Sequence, residues 1–205
     1  MIINHKRKFV FVCVPKTGST TLSKHFLRID DLFYDKSWLK KKWHWPMQGI
    51  YERYPDQPLQ SYYKFAYHRN PWDRMISSWI EFTEEKGHLA TWSQPMKDAF
   101  KDFEDFIINF RNTEWAEDIH FRPTTWYTHH EGKQIVDHIA MYSKWQEETQ
   151  KIFNRLDLKI EDLESKRWRQ TKRDKDYKRY YTSDKMIEEV AQHFAMDIHL
   201  FGDTY

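Results

Sequence analysis

The chain has 205 residues, enough for one domain with a substantial core. Its 33 Lys and Arg stand against 31 Asp and Glu, and a net charge of +2 is too even for a general nucleic-acid binder. No apolar run reaches the roughly 18 residues that mark a transmembrane helix. The N-terminal Met1 to Lys8 runs straight into the first strand and leaves no room for a signal peptide, so a soluble, cytoplasmic protein is expected. Cys13 is the single cysteine, which rules out an intramolecular disulfide; inside an apolar strand it reads as a small core residue.

Residues 8–14 form a continuous run rich in Val and Phe, the pattern of a central parallel strand. Pro15 and Gly18 break it, and a helix is predicted from Ser19 to Leu27. Residues 63–68 predict a second buried strand. Asn70-Pro71 then turns the chain, because the residue before proline avoids the helical region and proline suits the first helical position. A helix follows from Trp72 to Glu85. Residues 98–111 carry Phe100, Phe103, Phe106, Ile107 and Phe110 at a helical period. Residues 135–142 predict a third strand, and Lys144 to Leu156 and Ser183 to Phe194 predict helices. Strands alternating with helices favour a three-layer α/β domain with a parallel sheet, and no linker divides residues 1–205.

Ten Trp, twelve Tyr and fourteen Phe sit in a chain whose mean hydropathy is -0.92, so many rings must lie beside polar groups. Most of them read as amphipathic core packing; a cleft of rings that stack on sugars or bases is the functional alternative. Two stretches, 36–45 and 166–181, mix cations with Trp or Tyr, the second with eight Lys or Arg. Such runs are usually solvated faces. They would also suit an anionic ligand or single-stranded nucleic acid.

Two turns carry the chemistry. At Pro15 to Thr21 a strand ends and a helix begins, so backbone N–H groups and the helix dipole favour an anion. Gly18 permits close approach, Lys16 supplies charge, and Thr17, Ser19, Thr20 and Thr21 supply hydroxyls. The Walker order is absent, since the lysine precedes the glycine. At the second strand's end Arg69 offers a planar fork for a phosphate, with Arg74 and Ser77 three apart on the following helix. A structural ion-pair network of Arg69 with Asp73 or Arg74 is the plain alternative. Two anion sites at two strand ends point to a ligand with phosphate-like groups at both ends.

Together these segments resemble the nucleotide-binding signature of sulfotransferases, most closely the family-2 carbohydrate sulfotransferases. Lys16-Thr17-Gly18-Ser19-Thr20-Thr21 is similar to their 5'-phosphosulfate loop, and Arg69-Asn70-Pro71 with Arg74 and Ser77 to their 3'-phosphate motif. His120-Phe121-Arg122-Pro123-Thr124 resembles an H-x-x-P-Q element, with Thr124 replacing the usual glutamine. Tyr180-Tyr181-Thr182 and Asp197-Ile198-His199-Leu200-Phe201-Gly202 resemble the closing pattern. Residues 85–118 match nothing in it. The resemblance implies a P-loop-like sulfotransferase fold over 1–205 and a 3'-phosphoadenosine 5'-phosphosulfate (PAPS) donor, leaving 3',5'-adenosine bisphosphate. It implies no metal. Lys16 would stabilise the leaving oxygen, and Arg69 and Ser77 would hold the 3'-phosphate. The acceptor implied is a hydroxyl, most readily on a carbohydrate. A hydroxyl acceptor benefits from a histidine base; His44, between the two nucleotide motifs, ranks first and His120 second. The competing readings are a nucleotide kinase and a non-catalytic binder of glycans or single-stranded nucleic acid.

Overall fold

A computed structural model describes residues 1–27, 44–83, 102–160 and 173–205. These form a mixed α/β protein that divides into two compact units. The first comprises residues 1–69 and 124–169, the second 70–123 and 170–205.

The first unit is built on a four-stranded sheet ordered β1-β2-β3-β6. Its strands are β1 (Ile2–Asn4), β2 (Phe9–Phe11), β3 (Tyr63–His68) and β6 (His138–Met141). β2 runs parallel to β3, with Phe11 opposite Phe65, and β3 runs parallel to β6, with Phe65 opposite His138. The expected central strand is therefore present, shorter than 8–14, and its pairing continues through Val12 N–H donating to the Phe65 carbonyl at 2.9 Å. Strand β1 was not foreseen. It pairs antiparallel with β2, Ile2 opposite Phe11, and its three residues are too few for a periodic signal. The hairpin turns where Lys8 is left-handed (φ 52) and Asn4 Oδ1 accepts from Arg7 N–H at 2.8 Å.

Alternation along β2 loads both sheet faces. Phe9, Phe11 and Cys13 join Phe65, Tyr67 and Ala140 on one face, against Leu22 and Phe26 of helix α1 (Ser19–Phe26). Val10, Val12 and Val14 join Ala66 in the other core cluster, with Met47 and Ile50 of α2 (Met47–Arg53). Tyr127 of α5 (Thr124–Thr128) belongs to that second cluster. Ile152 and Phe153 of α6 (Trp145–Arg155) belong to the first. A short antiparallel pair, β4 (His129–His130) with β5 (Lys133–Gln134), precedes β6.

The second unit is helical among its described residues. It holds α3 (Pro71–Thr83), α4 (Phe103–Asn109), α7 (Asp184–His193) and α8 (Ala195–Phe201). The α4 start is set by Asp102, whose side chain accepts from Asp105 N–H. Its core gathers the aromatic surplus: Trp72, Phe82, Phe103, Phe106, Phe110, Phe121 and their neighbours. For these rings, packing is the explanation. Residues 36–43 and 166–172 of the two basic stretches, and 98–101 of the predicted helix, lie outside the described residues. In the remainder of the second stretch Arg179 pairs with Asp174 at 2.8 Å, and Arg173 pairs with Asp73 of α3.

Candidate functional site

Where β2 ends, the chain makes a tight turn into α1. Lys16 is left-handed (φ 61), and Gly18 (φ 78) forms the N-cap. A non-glycine residue in this region costs about 1 kcal/mol or more, so the neighbours must hold it. Thr17, fully buried, donates its Oγ1 hydrogen to the Val14 carbonyl at 2.9 Å. The Lys16 carbonyl accepts from Arg69 Nη1 at 2.8 Å. Gly18 is required twice over. Its φ suits glycine, and a Cβ there would lie 2.5 Å from ring atoms of Trp145. Ser19, Thr20 and Thr21 then form the first turn of α1, with the Gly18 carbonyl accepting from Thr21 N–H at 3.0 Å.

Arg69 follows β3, which lies beside β2, so parallel register alone carries both turns to the same edge of the sheet. Its guanidinium lies 4.6 Å from the centre of the Tyr142 ring. Tyr142 follows β6 and meets Trp145 edge-on at 5.5 Å, while Trp145 packs on Tyr67 at 4.8 Å. Burial pushes the Tyr67 phenol well up, so it stays neutral, hydrogen-bonded to Thr149 at 2.9 Å. Tyr142 and Trp145 were missed in the sequence. Their one available signal was position, just past the third parallel strand, where ligands of such sheets bind.

His44 joins the same unit. Its Nδ1 lies 2.5 Å from the Cys13 carbonyl, three residues ahead of Lys16. A carbonyl only accepts, so Nδ1 carries a hydrogen, and in the neutral form of such a ring the lone pair lies on Nε2. Thr124, where glutamine was expected, is fully buried and pairs through Oγ1 with Nδ1 of His68 at 2.9 Å. The departure thus ties the start of α5 to the residue preceding Arg69. Cys13 is buried beside Ser23, as a core residue.

Ser77 and His120 belong to the second unit. Ser77 is buried on α3, whose first turn is capped by Asn70 Oδ1 accepting from the N–H groups of Trp72 and Asp73. Arg74, also buried, donates to the Arg122 and His120 carbonyls, a structural role inside its unit. His120 Nδ1 lies 2.8 Å from Asp118 Oδ1, and its ring stands edge-on to Phe82 at 4.8 Å. The structure therefore brings Lys16, Thr17, Gly18, Ser19, Thr20, Thr21, Arg69 and His44 together in the first unit. No group of three metal-ligating side chains occurs among the described residues.

A family model described as the sulfotransferase family matches residues 1–205. The chain belongs to that family. It is a sulfotransferase of the family-2 type, an enzyme class that transfers a sulfuryl group to an acceptor. No curated protein and no solved structure matches the sulfotransferase. No helix among its described residues is long and apolar enough to cross a membrane.

Proposed function

We propose that this sulfotransferase moves the sulfuryl group of PAPS to a hydroxyl of a carbohydrate, working as one P-loop-like, three-layer domain over residues 1–205. The observation that carries the reading is the Pro15–Gly18 turn at the end of β2, with Lys16 and Gly18 left-handed and Arg69 from the neighbouring parallel strand bonded to it. A helix N-terminus at such a turn favours an anion, and Lys16 and Arg69 are the two cationic residues of the junction.

Lys16 neutralises charge on the oxygen that leaves with the 5'-phosphate, the main catalytic contribution in an in-line transfer. Thr17 offers its backbone N–H, since its hydroxyl shapes the turn. Gly18 allows the anion to approach, and Ser19, Thr20 and Thr21 donate from the first turn of α1. Arg69 and Ser77 hold the 3'-phosphate. His44 takes the acceptor's proton on Nε2 as the new S–O bond forms and the bond to the 5'-phosphate breaks; His120 is the second candidate. The products are the sulfated acceptor and 3',5'-adenosine bisphosphate, and no residue role needs a metal.

Thermal unfolding with 3',5'-adenosine bisphosphate, against magnesium ATP, tests this. A rise with the bisphosphate alone supports the reading. A rise only with magnesium ATP, or none with either, overturns it.

A further inference from the structure

We propose that Tyr142 is a positioning residue that presets the anion loop through Arg69. The inference rests on the reading of that loop as a nucleotide-phosphate site. Two contacts of Arg69 lie inside the first unit and bear on the loop: Nη1 donates to the Lys16 carbonyl at 2.8 Å, and Cζ of the guanidinium lies 4.6 Å from the Tyr142 ring centre. The arginine is 9% exposed, so its charge sits largely out of water, where an aromatic face is worth most. Tyr142 is itself fixed, edge-on to Trp145 at 5.5 Å, and Trp145 is wedged between Tyr67 and the open side of Gly18. The chain of contacts runs Tyr67, Trp145, Tyr142, Arg69, Lys16.

Its mechanical result is a strained residue held in place. The left-handed Lys16 is stabilised by the bond to its own carbonyl, and that bond is aimed by the ring beneath Arg69. The loop therefore meets the anion already shaped, and ordering costs are met on folding rather than on binding. Because one guanidinium serves both the loop and its own phosphate, the ring under it supports both ends of the ligand.

The test measures binding of two probes, 3',5'-adenosine bisphosphate and adenosine 5'-phosphosulfate, to the wild type, Tyr142→Leu and Tyr142→Phe. Loss of the ring face should weaken both probes by roughly 2- to 30-fold, the range of a partly desolvated cation–π contact. Tyr142→Phe keeps the face and should stay within about 2-fold of wild type. If circular dichroism shows the leucine variant unfolded, Tyr142→Met replaces it. Unchanged affinity with only a lower Tm assigns Tyr142 to stability and overturns the proposal. So does equal loss in the phenylalanine variant, which would point to the hydroxyl. Weakening of the bisphosphate alone also overturns it, since the loop would then be independent of Arg69. A wild type that binds neither probe shows instead that the nucleotide reading has failed.

Discussion

At the residue scale, the site depends on single atoms in unusual places. Gly18→Ala forces a Cβ into a left-handed position and against the Trp145 ring. The backbone term alone is about 1–2 kcal/mol, and the aromatic wall is not the flexible end of a long side chain. The variant should melt several degrees lower and bind the bisphosphate more weakly, measured by calorimetry and titration. A variant that behaves as wild type would mean that loop and ring part easily. His44 makes a different prediction, because its Nδ1 lies on the Cys13 carbonyl and the proposed base is the other ring nitrogen, Nε2. His44→Ala should lower turnover by roughly 10²- to 10⁴-fold, the usual worth of a general base. Bisphosphate affinity should hold. Near-normal turnover would transfer the role to His120, whose ring is oriented by Asp118 in the same way.

At the scale of elements, the sheet does the positioning. β2, β3 and β6 are parallel, and their C-terminal ends lead to Lys16, Arg69 and Tyr142 respectively. β6 is tied to α6 by His138 Nε2 at 2.8 Å from Glu148 Oε2, with Lys151 donating to Oε1 at 2.9 Å. Burial would raise the Glu148 carboxyl, but the hydrogen bonds from Lys151 and His138 outweigh it and hold the group below its ordinary value. A lowered folded value means that the unfolded chain takes up the proton first. This contribution is complete above the unfolded value, about 4.3, and is lost as pH falls through the folded one. Glu148→Gln should therefore melt a few degrees below wild type at neutral pH, and the gap should close as pH falls below the unfolded carboxyl value of about 4.3. A gap that stays constant over that range would show that packing, not charge, is lost.

At the scale of the whole molecule, each unit has its own core and its own share of the proposed machinery. The first holds the anion loop, Arg69 and His44; the second holds Ser77 and His120. The family match covers both. Ligand that binds only the folded state, at about 100 times its dissociation constant, adds about 2.7 kcal/mol. For a protein of this size that is a rise of roughly 5–10 °C with the bisphosphate, which scanning calorimetry would read directly.

Much of this was legible in the residues alone. A strand over Tyr63–His68 and helices over Ser19–Phe26, Trp145–Arg155 and Asp184–His193 were predicted within a residue or two. Continuous apolar runs and 3.6-residue periods are local signals that proline and glycine punctuate. The turn that carries Lys16 and Gly18, and the strand end that carries Arg69, were legible for the same reason, since a strand-turn-helix junction is written within a few residues. Strand β1 was not, being too short to show a period. Nor were the buried contact of Thr124 with His68, or the ring beneath Arg69. Tyr142 and Trp145 lie more than seventy residues from the loop in sequence and reach it only because parallel pairing of β2, β3 and β6 stacks three strand ends side by side. Local chemistry determined which groups can meet an anion. Strand order and register, which depend on burying both faces of the sheet at once, decided what holds those groups in place.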